Sequence, residues 1–179
     1  LCDADYTASA SHEDENIFDL AKHENKVDAA LILEKLTEYR ADIKARSHSN
    51  SELNNIRDIV YENCIRAGDM PPGMFTLTAP TGTGKTLALL AFAAEHAKAY
   101  NKDRIIIVLP FLSVISQNAK IYRKICGNIL ESHSMAKYED EQLSRLIAER
   151  WDAPVIITTS VKFFEELFKS KPADLRFMH

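Results

Sequence analysis

The sequence predicts an α/β fold built on a parallel sheet covered on both faces. Three observations lead there. Short apolar runs at 75–78, 104–109 and 154–158 have the length and the Ile/Val content of buried strands. Each is followed by a longer stretch with apolar residues at helical spacing, so strands and helices alternate. The first of these junctions is occupied by Ala79-Pro80-Thr81-Gly82-Thr83-Gly84-Lys85-Thr86, a Gly-rich turn ending in Lys-Thr.

Taken in order, residues 1–25 are polar and acidic, with His12-Glu13-Asp14-Glu15-Asn16 unlike anything in the core that follows. Val27, Leu31, Leu33, Leu36, Tyr39 and Ile43 predict a helix with an apolar stripe. Arg46-Ser47-His48-Ser49-Asn50-Ser51 is a polar break and the best linker candidate. Leu53, Ile56, Ile59, Val60 and Cys64 predict a second amphipathic helix, closed by Gly68 and the turn Met70-Pro71-Pro72-Gly73. Met74-Phe75-Thr76-Leu77-Thr78 reads as a strand entering the Gly-rich turn, and 85–100 as the helix leaving it. That helix carries Leu87, Leu90, Ala91, Ala94 and Ala97 on one face and Leu89, Phe92 and Ala93 on the other, so it belongs in a core. Strand 104–109 leads to a helix around 112–125. A short apolar stretch at Ile129-Leu130 precedes a charged helix around 137–150, and strand 154–158 leads to a helix around 160–168.

The turn has a chemistry of its own. Gly82 and Gly84 let the backbone adopt conformations a side chain forbids, so several N–H groups can face one anion. The helix starting near Lys85 adds unpaired N–H groups and the positive end of its dipole. This is the Walker A pattern, with Ala79 where the common form has Gly. In it Pro80, Thr81, Gly82, Thr83 and Gly84 cradle phosphates, Lys85 reaches the β- and γ-phosphates of ATP, and the Thr86 hydroxyl holds Mg²⁺. A chance match of this length arises in about one chain per hundred of this size. The strand–loop–helix order lowers those odds further, so a nucleoside-triphosphate pocket is expected, with Lys85 and Thr86 as its catalytic pair.

Composition narrows the class without choosing it. The chain has 179 residues, 46% apolar and 27% charged, enough for one well-packed domain and a fragment of another. No apolar run reaches the length of a membrane span, and no membrane partner is expected. Cys2, Cys64 and Cys126 are scattered without a C-x-x-C pair, which argues against a zinc ribbon and fits a reducing, cytoplasmic compartment. A formal net charge of −4 counts against a generic basic nucleic-acid binder, but not against a protein that grips one strand with amides and hydroxyls. The chain opens at Leu1 without an initiator Met and stops at His179 where another strand is due, so it is expected to be an internal piece of a larger protein.

Two further segments add to the loop. The second strand runs into Leu109-Pro110-Phe111-Leu112-Ser113-Val114-Ile115-Ser116-Gln117-Asn118-Ala119, and the third into Thr158-Thr159-Ser160-Val161-Lys162-Phe163-Phe164-Glu165. Both carry hydroxyl or amide side chains where a parallel strand ends, the edge at which open α/β sheets present ligand contacts. Taken singly, Ser113 or Ser160 reads equally well as a helix cap. With the Walker A loop these segments resemble motifs I, Ia and Ib of superfamily 2 helicases. Leu53-Asn54-Asn55-Ile56-Arg57, the stretch Gly73 to Ala88, Leu109-Pro110-Phe111 with Gln117-Asn118-Ala119, and Thr158-Thr159-Ser160 with Phe163-Phe164-Glu165 together resemble the type I CRISPR-associated helicase–nuclease family.

That resemblance implies a RecA-like P-loop domain, incomplete here, over 51–179, a helical linker over 26–50, and the C-terminal end of an HD nuclease domain over 1–25. It implies nucleic-acid contacts at Pro110, Ser113, Gln117, Thr158 and Thr159. It also makes Asp5, in Asp3-Ala4-Asp5-Tyr6, a metal-ligating carboxylate for a divalent transition metal, where the plain alternative is a pair of surface aspartates. No adjacent His-Asp pair occurs among the six histidines, so a nuclease site is not complete in this chain. His133 carries no assigned chemistry, and Lys137 to Arg150 reads as a solvated face. The implied parent is an ATP-driven single-stranded DNA translocase fused to a nuclease and recruited by an RNA-guided surveillance complex. This piece is expected to bind ATP better than it hydrolyses it. The rival from another class is a non-helicase P-loop ATPase used as a switch or assembly module, and a purely structural remnant is a third possibility.

Overall fold

The computed structural model describes residues 26–46, 51–127, 129–132, 151 and 153–168. Helices α1 (Ala29–Arg46), α2 (Ser51–Gly68) and α3 (Lys85–Ala99) are followed by β1 (Ile105–Leu109), α4 (Leu112–Cys126), β2 (Leu130–Ser132), β3 (Val155–Thr159) and α5 (Ser160–Leu167). These residues form two compact units. One comprises Val27–Ile105 and Lys120–Asn128, the other Ile106–Ala119 and the described part of Ile129–His179.

The first unit is helical. Asp28 caps α1, accepting from the Leu31 N–H at 2.9 Å. Its buried residues are Ala29, Ile32 and Leu36. Of the expected stripe Leu36 is buried and Val27, Leu33 and Tyr39 are half-buried, while Leu31 is 47% and Ile43 39% exposed and Ile32 takes the inward place of Leu31. Asp58 of α2 ties the two helices together, accepting from Arg40 at 2.6 Å and Lys44 at 2.7 Å. The Arg40 guanidinium also lies 3.5 Å from the centre of the buried Tyr61 ring. Both helices pack on α3, whose buried surface is mostly alanine: Ala88, Ala91, Ala94 and Ala97 around Leu90. Small side chains let the backbones approach. At Gly68 the approach is so close that a Cβ would sit 2.7 Å from Cβ of Glu95. Gly68 therefore does more than end α2, because it is the point where α2 meets α3.

Residues 74–78 depart from expectation. They have no regular secondary structure, with Phe75 and Leu77 half-buried and Met74 fully exposed, and no described strand pairs with them. The alternation that predicts a strand is present; the neighbouring backbone that would complete its hydrogen bonds is not among the described residues. Aromatic packing holds the segment instead. The Phe75 ring stands edge-on to Phe92 at 5.0 Å and to His96 at 6.0 Å, and His96 also contacts Tyr100 at 4.7 Å. His96 Nδ1 lies 2.9 Å from the Gly68 carbonyl, and the Tyr100 hydroxyl donates to the Asp69 carbonyl at 3.0 Å.

The second unit holds most of the sheet, which is three-stranded and parallel with order β1-β3-β2. Leu130, Glu131 and Ser132 pair with Ile156, Ile157 and Thr158. Central β3 is buried from Val155 through Thr158, as a strand flanked on both edges and covered on both faces must be. Trp151 is wholly buried in a cluster with Leu130, Ala153 and Ile156, against which Phe163 of α5 packs. The α/β fold with a parallel sheet is thus as the periodicity predicts. Residues 47–50 of the polar break, the acidic segment 1–25, His133 and the charged stretch 137–150 lie outside the described residues.

Candidate nucleotide site and strand-end surface

The Gly-rich turn is built as its residue types require. Gly82 and Gly84 have φ of 83° and 79°, the left-handed region in which a side chain is strained. Gly84 is the residue before α3, and no side-chain cap hydrogen bond closes the start of that helix. A Cβ at Gly82 would meet nothing within 4 Å, which leaves open space in front of the turn. Concave backbone, uncapped helix start and open approach together fit a phosphate chain.

Three donors hold carbonyls of the loop. Lys85 Nζ donates to Ala79 at 2.7 Å, and the buried Thr83 hydroxyl donates to Pro80 at 2.8 Å. Arg57 of α2 donates through Nε to Gly82 at 3.1 Å and through its terminal nitrogen to Asn54 Oδ1 at 3.2 Å. Pro80 and Thr81 are exposed, and Thr86 is half-buried in the first turn of α3. The Tyr122 hydroxyl of α4 reaches the Thr86 carbonyl at 3.4 Å. Burial pushes Tyr122 up to about 12, so it stays a neutral donor throughout the physiological range.

The residues expected to meet a nucleic-acid strand divide. Pro110, Ser113 and Gln117 are exposed at the start of α4, with Ser113 and Gln117 one turn apart on the same face. Thr159 is half-buried and caps α5, accepting from the Lys162 N–H at 3.1 Å. Because β1 and β3 are neighbours in a parallel sheet, Pro110 and Thr159 follow strand ends on the same edge. Thr158 is a correction. It is fully buried, and its hydroxyl donates to the Ser132 carbonyl at 2.6 Å, so it ties β3 to β2 and faces no solvent. A side chain in the middle of a doubly covered strand has no route to a surface ligand.

Sequence reading assigns no role to Arg57, Tyr122 or Ser132. Ser132 is a hub of the sheet, since its hydroxyl accepts from Trp151 Nε1 at 3.1 Å while its carbonyl accepts from Thr158. A lone buried-type serine beside a charged run gives no local signal of this. Asp5 lies outside the described residues. Among the described residues no group of three or more His, Cys, Asp or Glu is placed to hold a metal ion, and no helix is long and apolar enough to cross a membrane.

Strands of a parallel sheet alternating with helices, and a Gly-rich turn opening into one helix, are the marks of the P-loop nucleoside-triphosphate-binding class. The chain belongs to the DEAD/DEAH box helicase family, whose model matches residues 53–178. It is also similar to the CRISPR-associated nuclease/helicase Cas3 of Haloferax volcanii, 26% identical over 172 residues. That match covers 75% of this chain and 18% of the relative, so the chain corresponds to a small part of the longer protein. Membership of a helicase family implies the use of ATP and Mg²⁺.

Proposed function

We propose that this chain is the nucleotide-binding part of a Cas3-like protein that couples ATP hydrolysis to movement along single-stranded DNA. The observation that carries the reading is the loop, with its two left-handed glycines, uncapped α3 and Lys85 within reach of the turn. In it the loop N–H groups and Lys85 bind the phosphates. Thr86 would hold Mg²⁺ through its hydroxyl, and the bound ion would supply charge neutralisation at the phosphates. Pro110, Ser113, Gln117 and Thr159 hold the strand by its phosphates, which makes the grip tolerant of base sequence.

The wider reading rests on the motif resemblance to the CRISPR-associated helicase–nuclease family, and the name of the relative supports it as far as a CRISPR-associated nuclease and helicase. In it the parent protein moves 3′ to 5′, carries a metal-dependent nuclease domain to which Asp5 contributes, and is recruited to foreign DNA by an RNA-guided surveillance complex. Residues 1–25 then belong to the end of that nuclease domain, 26–50 to a connection, and 51–179 to the first RecA-like domain. Thr158 is left out of the strand contacts because of its burial.

Lys85→Ala tests the loop. The variant should lose Mg·ATP affinity in calorimetry while keeping its unfolding transition, since a half-exposed cation contributes little to the core. Gln117→Ala in the full-length protein should weaken single-stranded DNA binding and reduce stimulation of ATP hydrolysis by DNA. Unchanged ATP affinity in the first variant refutes the nucleotide site. Wild-type DNA stimulation in the second refutes the strand contact alone.

A further inference from the structure

The hydrogen bonds on the loop are not equivalent, and peptide geometry says which of them matter. In a trans peptide the carbonyl of one residue and the N–H of the next point in opposite directions. A donor that holds a carbonyl therefore also sets where the following N–H points. Lys85 holds the Ala79 carbonyl, but the next residue is Pro80, which has no N–H. Lys85 can leave that carbonyl for a ligand without loosening any donor. Thr83 holds the Pro80 carbonyl and so orients the Thr81 N–H. Arg57 holds the Gly82 carbonyl and so turns the Thr83 N–H away from α2.

Arg57 is suited to this work. It comes from outside the loop, 25 residues earlier in the chain, on a helix packed against α3. Its terminal nitrogen is held by Asn54 one turn back, which fixes the direction of the guanidinium. Its Cγ lies 3.8 Å from where a Cβ of Gly84 would stand, so the stem follows the loop as well. Gly82 needs the support most. Glycine has the widest conformational freedom of any residue, and the peptide that follows it swings unless something holds its carbonyl.

We propose that Arg57 is a positioning residue for the phosphate loop, holding the Gly82 carbonyl so that the Thr83 N–H is set as a phosphate donor before nucleotide arrives. This rests on reading the loop as a nucleotide site. The gain is preorganisation, because the loop then loses less conformational freedom on binding.

The test uses the full-length protein with Arg57→Met, which keeps the apolar stem, and Arg57→Lys, which keeps a cationic donor. Arg57→Met should weaken Mg·ADP and Mg·ATP binding by calorimetry about three- to tenfold, the size expected for one partly exposed hydrogen bond. The ¹⁵N order parameter of the Thr83 amide in the nucleotide-free protein should fall, with the urea midpoint unchanged, and Arg57→Lys should recover part of both effects. Wild-type affinity in Arg57→Met, beside a Lys85→Ala variant that no longer binds, overturns the role of Arg57 alone. Weakened affinity with an unchanged Thr83 order parameter also overturns it, since the guanidinium would then act on the ligand and not on the loop. A fall in affinity matched by a fall in global stability, without rescue by lysine, reduces Arg57 to a packing residue. If Lys85→Ala binds nucleotide normally, the nucleotide reading fails and this proposal goes with it.

Discussion

At the scale of single residues, the described cysteines illustrate how burial sets chemistry. Cys64 and Cys126 are free thiols, and burial raises both, Cys126 to about 12. A thiol so protonated is a poor nucleophile, so Cys126 should resist alkylation near neutral pH until the protein is unfolded. The same shift has a consequence for stability. In the unfolded chain the thiol ionises near its ordinary 9.0, in the folded chain only near 12, so the unfolded state loses its proton first. Stability from this group is complete below about pH 9 and falls as pH rises from there toward 12. Tyr122, also pushed up to about 12, acts in the same direction. Denaturant midpoints measured across that range should fall more steeply in the wild type than in Cys126→Ala. Parallel slopes would show that the thiol ionises as freely folded as unfolded.

At the scale of elements, the contact of α2 with α3 is the one on which the site depends. α3 begins at the phosphate loop, and α2 carries Arg57 to it. Gly68 sets how close the two helices lie, with no room for a Cβ beside Glu95 and the His96 backbone. Gly68→Ala should therefore destabilise the protein by about 1–3 kcal/mol, the usual cost of overpacking. Better helix propensity returns less than about 1 kcal/mol of that at a helix end. Urea denaturation decides the sign. A stabilised variant would mean that Glu95 swings aside at no cost and that the close approach is incidental.

At the scale of the whole molecule, the chain covers 18% of the length of its Cas3 relative, and the proposed activities are divided along it. Asp5 and the phosphate loop are far apart in sequence, with the polar break at 46–51 between them. Independent distant sites behave additively. In the intact protein Asp5→Ala should remove metal-dependent nuclease activity and leave ATP hydrolysis as it was, both assayed on one preparation. Full nuclease activity would return Asp5 to the surface aspartates. Loss of both activities would point to a folding defect between the domains.

What the sequence determined by itself is everything that depends on near neighbours in the chain. Gly82 and Gly84 supply the conformational freedom that the turn uses, since both adopt left-handed φ, and Lys85 and Thr86 follow at the spacing the helix start requires. The helices α3 and α4 and the strands β1 and β3 are legible because apolar periodicity is a local property. The tertiary structure alone decided which neighbours those elements meet. Thr158 and Thr159 are adjacent and chemically identical, yet one is sealed in the sheet and the other caps a helix, because burial depends on which strands flank β3. The α1 stripe falls on Ile32 and not on Leu31 because α3 selects the face. Residues 74–78 carry a strand's alternation, but no strand among the described residues pairs with them, and a ladder needs a second backbone. Arg57 meets Gly82 only after α2 has packed, and no pattern of nearest neighbours contains a contact across 25 residues.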